Sequence, residues 1–254
     1  MIRIYENIDV REILNREIQS YTEYEDTVRR IVADVLANGD EAVLRYTRRF
    51  DCPSLEALEV PPEEIDAACR AVDDRFLAIL REARDNIEAF HRHQLREGFR
   101  FEKEKGIVLG QKYSPIRRVG IYVPGGTAAY PSTVLMNTVP AKIAGVEEII
   151  MTTPAGRDGK VAPEILAAAR LCGVSRVFRC GGAQAIAALA YGTQSIPPVD
   201  KIVGPGNIFV ALAKKLVFGK VSIDMIAGPS EILIIADASA NPVHGRRSPL
   251  PGRA

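Results

Sequence analysis

The chain has 254 residues, of which 47% are hydrophobic and 26% charged, with a formal net charge of +1. That balance belongs to a globular protein able to bury a sizeable core, and it excludes disordered and fibrous classes. There is no basic excess for nucleic acid or a membrane surface, no apolar run near the ~20 residues of a spanning helix, and no signal-peptide core at Met1-Ile2-Arg3-Ile4, so a cytoplasmic protein acting on small molecules is expected.

Residues 20–97 read as helices. From Thr27 to Asn38, Val28, Ile31, Val32, Val35 and Leu36 recur at helical spacing; Gly39 then supplies a stop, and Asp40 caps the next helix. Pro61-Pro62-Glu63-Glu64 opens a third helix, and Asp73 or Asp74 opens a fourth that runs towards His93. His91 and His93 lie two apart on it and point to nearly opposite sides, so they do not share a metal ion. Phe99, Phe101, Gly106 and Ile107-Val108-Leu109 suggest a short hairpin within 98–113. The four cysteines, Cys52, Cys69, Cys172 and Cys180, form no C-x-x-C pair and are read as buried thiols.

From Arg118 the pattern alternates strand and helix. Strands are expected at Val119–Val123, Glu148–Thr152, Arg176–Cys180, Lys201–Val203 and Ile232–Ala236, with helices near Ser132–Ile143, Pro163–Leu171, Ala183–Tyr191 and Ile208–Val217. Short apolar strands joined by helical crossovers imply an α/β fold: a doubly wound, Rossmann-like, mainly parallel sheet preceded by a helical N-terminal region. The expected division is a helical region with its hairpin over 1–115, a Rossmann-like domain over 116–236, and the start of a further region over 237–254 ending in an aberrant, disordered tail. No internal repeat is visible.

Three strand-end loops carry glycine: Pro124-Gly125-Gly126-Thr127, Gly181-Gly182-Ala183-Gln184 and Gly204-Pro205-Gly206-Asn207. In a doubly wound sheet they gather at one edge, where bare backbone and helix N-termini suit a nucleotide phosphate. Plain turn geometry explains such glycines equally well. The usual dinucleotide fingerprint is missing, because no third glycine follows Gly204-Pro205-Gly206 in place. Tyr122 could lay its ring against a nucleotide or serve as a core aromatic, and Gln184 and Asn207 offer amides for a ligand or for helix capping. Ser230 and Glu231 fall at the amino end of the last expected strand, beside a tight Gly228-Pro229 turn. Arg117-Arg118 and Lys214-Lys215 are read as solvated faces. Composition and pattern therefore reach a nucleotide-binding α/β protein with no obvious catalytic base and no metal-ligand spacing.

The wording of four segments is more specific. R-V-G-I-Y-V-P-G-G-T-A-A-Y-P-S-T-V-L-M-N (118–137), G-G-A-Q-A-I-A-A-L-A-Y-G-T (181–193), V-D-K-I-V-G-P-G-N (199–207) and I-D-M-I-A-G-P-S-E (223–231) resemble histidinol dehydrogenase in order and spacing, and the resemblance runs from about residue 20 to Pro242. It implies a zinc-dependent homodimer of histidine biosynthesis that oxidises L-histidinol to L-histidine through an aldehyde, passing two hydrides in turn to two NAD molecules. It also implies NAD contacts at Tyr122, Gln184 and Asn207 and a histidinol contact at Ser230. In such an enzyme zinc anchors the substrate while a base takes the hydroxyl proton.

After Asn241-Pro242 the resemblance stops. The family continues with a helix reading roughly A-A-D-L-L-S-Q-A-E-H-D, whose Gln and His are zinc ligands, and then with a catalytic Glu-His pair. Here Val243-His244-Gly245-Arg246-Arg247-Ser248 runs on to Ala254 without apolar periodicity. Codons can be chosen for this tail such that a one-base shift spells Ser-Met-Ala-Ala-Asp-Leu-Leu-Ser-Gln-Ala-Glu, which restores the family helix. The expectation is a frameshift after Pro242, and a chain without the family's zinc ligands or catalytic pair. A natural short homologue is the alternative to the frameshift, and a non-catalytic NAD-binding fragment or pseudoenzyme is the alternative to an enzyme.

Overall fold

In the computed structural model, which describes residues 21–125, 129–226, 237 and 239–241, the first helix does not end at the expected stop. Helix α1 (Thr22–Phe50) passes through Gly39, whose φ of 55° and ψ of −131° kink it without ending it. Only glycine enters that region of backbone space cheaply. Val28, Ile31, Val32 and Val35 before the kink, and Ala42 and Val43 after it, are buried, whereas Leu36 is exposed. Asp40, expected as a cap, instead donates its N–H to Gln194 Oε1 (2.8 Å) and accepts from Ser195 Oγ (3.0 Å).

Helix α2 (Pro62–Ala71) starts on its proline, and α3 (Asp74–Arg92) is capped by Asp73, whose carboxylate accepts from the N–H groups of Arg75 and Phe76. Strands β1 (Phe99–Glu104) and β2 (Ile107–Gln111) form the expected antiparallel hairpin, and all of their residues are exposed.

The central sheet contains β3 (Arg118–Tyr122), β4 (Glu148–Thr153), β5 (Arg176–Arg179), β6 (Lys201–Val203) and β7 (Ser222–Ile223), all parallel, in the order β5-β4-β3-β6-β7. Helices α4 (Pro131–Ile143), α5 (Pro163–Cys172), α6 (Gly182–Tyr191) and α7 (Ile208–Val217) make the crossovers. The chain lays down three strands in one direction, returns to β3, and adds two on its other side. This is the doubly wound order, with its switch point between β3 and β6. β7 was not anticipated, since two residues carry no periodicity; the strand expected at Ile232–Ala236 lies outside the described residues.

Side-chain alternation divides the core between the two faces. Val119, Ile121, Ile149, Met151 and Val177 pack under α4 and α5, while Tyr122, Ile150, Phe178 and Ile202 pack against α1, α6 and α7. Each fully buried side chain of this size contributes about 1.5–3 kcal/mol of transfer free energy, so both helical layers are held on the sheet. Cys52, Cys172 and Cys180 are buried free thiols as expected, and Cys69 is half-buried.

Two charged residues read as solvated are not. Arg118 is largely buried, with its guanidinium on Glu148 and the carbonyl of Pro198. Lys214 is buried, and its ammonium donates to Gly204 O (3.0 Å) and pairs with Asp224. Successive helical residues stand about 100° apart, so a Lys-Lys pair at the edge of an apolar stripe sends one side chain inward. Lys215 is the exposed one, pairing with Glu25 at 2.9 Å.

Candidate functional site

An open cleft of about 1360 Å³ lies beyond the carboxyl ends of the sheet strands. The ends of β3 (Tyr122, Pro124, Gly125), β4 (Thr153, Pro154), β5 (Gly181, Gly182) and β6 (Asn207) all reach it, and α1 forms a further wall with Arg30, Tyr46, Arg49 and Asp51. The volume exceeds the ~300–1000 Å³ typical of small-ligand sites. A guest larger than a typical small ligand is therefore accommodated.

Close backbone packing builds the floor at the switch point. At Gly204, with φ of 113°, an added Cβ would stand 2.1 Å from the carbonyl oxygen of Tyr122, so only glycine lets the β6 loop lie against the end of β3. That loop is tied from behind: Gly204 donates its N–H to Asp224 Oδ2 (2.8 Å) and its carbonyl accepts from Lys214.

The structure brings Tyr122, Gln184 and Asn207 to this single cleft. Of the two roles the sequence left open for Tyr122, the structure shows the core aromatic. Its ring is 4% exposed within the core, yet its hydroxyl accepts from the N–H of Gly182 (3.1 Å) at the cleft. Burial pushes its pKa up to about 12, against a smaller opposing effect of that N–H, so it is a neutral phenol. Asn207 caps α7, its Oδ1 accepting from Val210 N–H (3.1 Å), which leaves its amide nitrogen as a donor. Gln184 is 2% exposed and caps nothing. Ser230 lies outside the described residues, as do Gly126 and Thr127 of the first glycine loop.

The N-terminus of α6 has no side-chain cap, and the N–H groups of Ala183 and Gln184 find no partner among the described residues. Bare amides at a helix N-terminus favour an anion. Arg30, Arg49, Arg157 and Lys160 line the same cleft and add positive charge.

Sequence reasoning missed Asp51, which follows α1 and lines the cleft. Its Oδ2 is buried without a hydrogen-bond partner among the described residues, and burial raises its pKa to about 6. A signal for it existed. A carboxylate directly after the helix-ending Arg48-Arg49-Phe50 opposes the helix dipole and is out of place as a purely structural choice.

Neither His91 nor His93 lines the cleft. Among the described residues no group of three or more His, Cys, Asp or Glu is placed to hold a metal ion, so the described residues do not fit zinc. No described helix is long and apolar enough to cross a membrane.

Comparison with known proteins agrees with this architecture. The family model for histidinol dehydrogenase matches residues 14–244. The histidinol dehydrogenase of Clostridium acetobutylicum is 54% identical over 232 residues, covering 91% of this chain and 54% of that protein; that of Bacillus subtilis is 53% identical over 230 residues, covering 90% and 54%. A crystal structure of histidinol dehydrogenase from Elizabethkingia anophelis superposes with a TM-score of 0.85 at 38% identity, covering 93% of this chain and 55% of that one. The chain spans about half the length of the relatives it matches.

Proposed function

Since the chain belongs to the histidinol dehydrogenase family, we propose that its strand-edge cleft is the NAD site of an oxidoreductase converting L-histidinol to L-histidine, in a protein that works as a cytoplasmic homodimer. The observation that carries this reading is the meeting of Tyr122, Gln184, Asn207 and the uncapped α6 N-terminus in one cleft at the switch point of a doubly wound sheet.

NAD, when bound, supplies the hydride acceptor. The work of this chain's own residues is to bind and orient. The free amides of Ala183 and Gln184, with the basic side chains of the cleft, take the pyrophosphate. The amide nitrogen of Asn207 and the side chain of Gln184 supply directional contacts that fix the nucleotide along the sheet edge, and Tyr122 holds the start of α6 in place through Gly182. A histidinol contact is proposed for Ser230, which lies outside the described residues. Zinc enters the proposal at the level of the family.

Titration of the purified chain with NAD tests the reading. Weak saturable binding is expected, with a loss of about tenfold or more in a Gln184→Ala, Asn207→Ala double variant, in line with two lost polar contacts. Equal binding by parent and double variant removes this cleft from consideration. A second reading is a chain that binds NAD without turning over histidinol, since the described residues of the cleft supply binding and orienting groups. NADH production on addition of histidinol and zinc separates the two.

A further inference from the structure

In doubly wound dinucleotide domains the carboxylate that reads the adenosine ribose stands at the end of the second strand laid down. Here that strand is β4, and it ends in Thr153-Pro154-Ala155-Gly156, with no acid at the turn. The next acid along, Asp158, also lines the cleft, but it lies past the turn and its Oδ1 is engaged in its own loop, accepting from Lys160 N–H (3.1 Å).

A carboxylate nevertheless stands beside the end of β4, brought from a different part of the chain. A Cβ built on Gly181 would lie 2.9 Å from Pro154 Cβ and 3.5 Å from Asp51 Oδ2, so Pro154 and Asp51 flank one point at the sheet edge. Asp51 lines the cleft, has no ion pair and no side-chain hydrogen bond among the described residues, and keeps one oxygen buried and unpaired. A carboxylate held in this way costs stability, and nothing structural in its surroundings repays it. Its surroundings are neutral: the Tyr122 phenol and the Cys180 thiol, both kept protonated by burial.

We propose that Asp51 is the ribose-reading residue of this cleft, accepting a hydrogen bond from the 2′-hydroxyl of the adenosine half and excluding the 2′-phosphorylated dinucleotide. The proposal rests on the NAD reading above. A 2′-phosphate would bring a second negative charge against a partly desolvated carboxylate, whereas a hydroxyl supplies a donor to its Oδ1, the oxygen that is not enclosed and has no partner among the described residues. The basic side chains of the cleft are left for the pyrophosphate.

Calorimetric titration of the full chain and of Asp51→Asn at pH 8 with NAD, with NADP and with the 2′-deoxyadenosine analogue of NAD tests it. The parent chain is expected to bind NAD about tenfold more tightly than the deoxy analogue and to discriminate further against NADP, while Asp51→Asn, whose amide oxygen still accepts but carries no charge, narrows the gap between NAD and its deoxy analogue and loses the discrimination against NADP. If Asp51→Asn does not fold, the comparison of NAD with its deoxy analogue on the parent chain still decides the matter. Equal affinity of the parent for those two ligands overturns the role of Asp51 and leaves the NAD cleft standing. Failure of the parent to bind NAD at all overturns both.

Discussion

Asp51 and Lys214 are ionisable groups that the fold has taken partly or wholly out of water, and they respond oppositely to substitution. The carboxyl of Asp51 titrates near pH 6 in the folded chain because burial disfavours its charge. An unfolded aspartate titrates near ~3.9, so between those values the folded state holds a proton the unfolded state has released. The stabilisation from that proton is complete below about pH 4 and is lost as pH rises through about 6. Asp51→Asn cannot ionise. It is expected to melt higher than the parent at pH 8, with the gap closing towards pH 4, as followed by circular dichroism; a constant gap across that range contradicts the assignment. Lys214 is paired as well as buried, and Lys214→Met leaves Asp224 without its cation. A loss of about 3 kcal/mol is expected in urea unfolding, the lower end for a broken buried pair because Asp224 keeps some solvent and the N–H of Gly204. Lys215→Met, at an exposed pair, is the control and leaves the midpoint nearly unchanged.

At the scale of elements, most of the fold was legible in the sequence because its signals are local. Apolar periodicity marked the first half of α1, proline and an Asp cap marked the starts of α2 and α3, and the alternation of short apolar strands with helical stretches marked the crossovers α4 to α7. Signals that depend on distant partners were not legible. Gly39 was recognisable as a break, but the bend that replaces a stop depends on Gln194, whose Oε1 accepts from the N–H of Asp40 across 154 positions of sequence. A Cβ at Gly39 would stand 2.2 Å from that same oxygen. Gly39→Ala combines this clash with a left-handed φ, and a destabilisation of about 2 kcal/mol or more is expected. Gln194→Gly in the same background relieves the clash alone. A Gly39→Ala chain as stable as the parent shows that the kink is not held as described. β7 escaped notice for the complementary reason: its two residues are a strand only because β6 offers them a parallel partner.

For the whole molecule, family membership was written in four contiguous segments, whereas the site was only half written. Tyr122, Gln184 and Asn207 lie in those segments and converge as anticipated. Arg30 and Arg49 come from α1 and Asp51 directly follows it, in a region whose periodicity speaks only of packing, and they join the cleft through the docking of α1 on α6 and α7. A cleft assembled from two such distant stretches becomes visible only when the chain is folded. The central claim is that this cleft, at the switch point between β3 and β6, is where NAD binds. Amide chemical-shift mapping of the labelled chain during NAD titration tests it most directly. The largest shifts are expected at Gly125, Gly181, Gly182, Ala183 and Asn207, with Asp51 among them and the β1–β2 hairpin unmoved. Saturable NAD binding that leaves those amides in place and shifts another surface would contradict it.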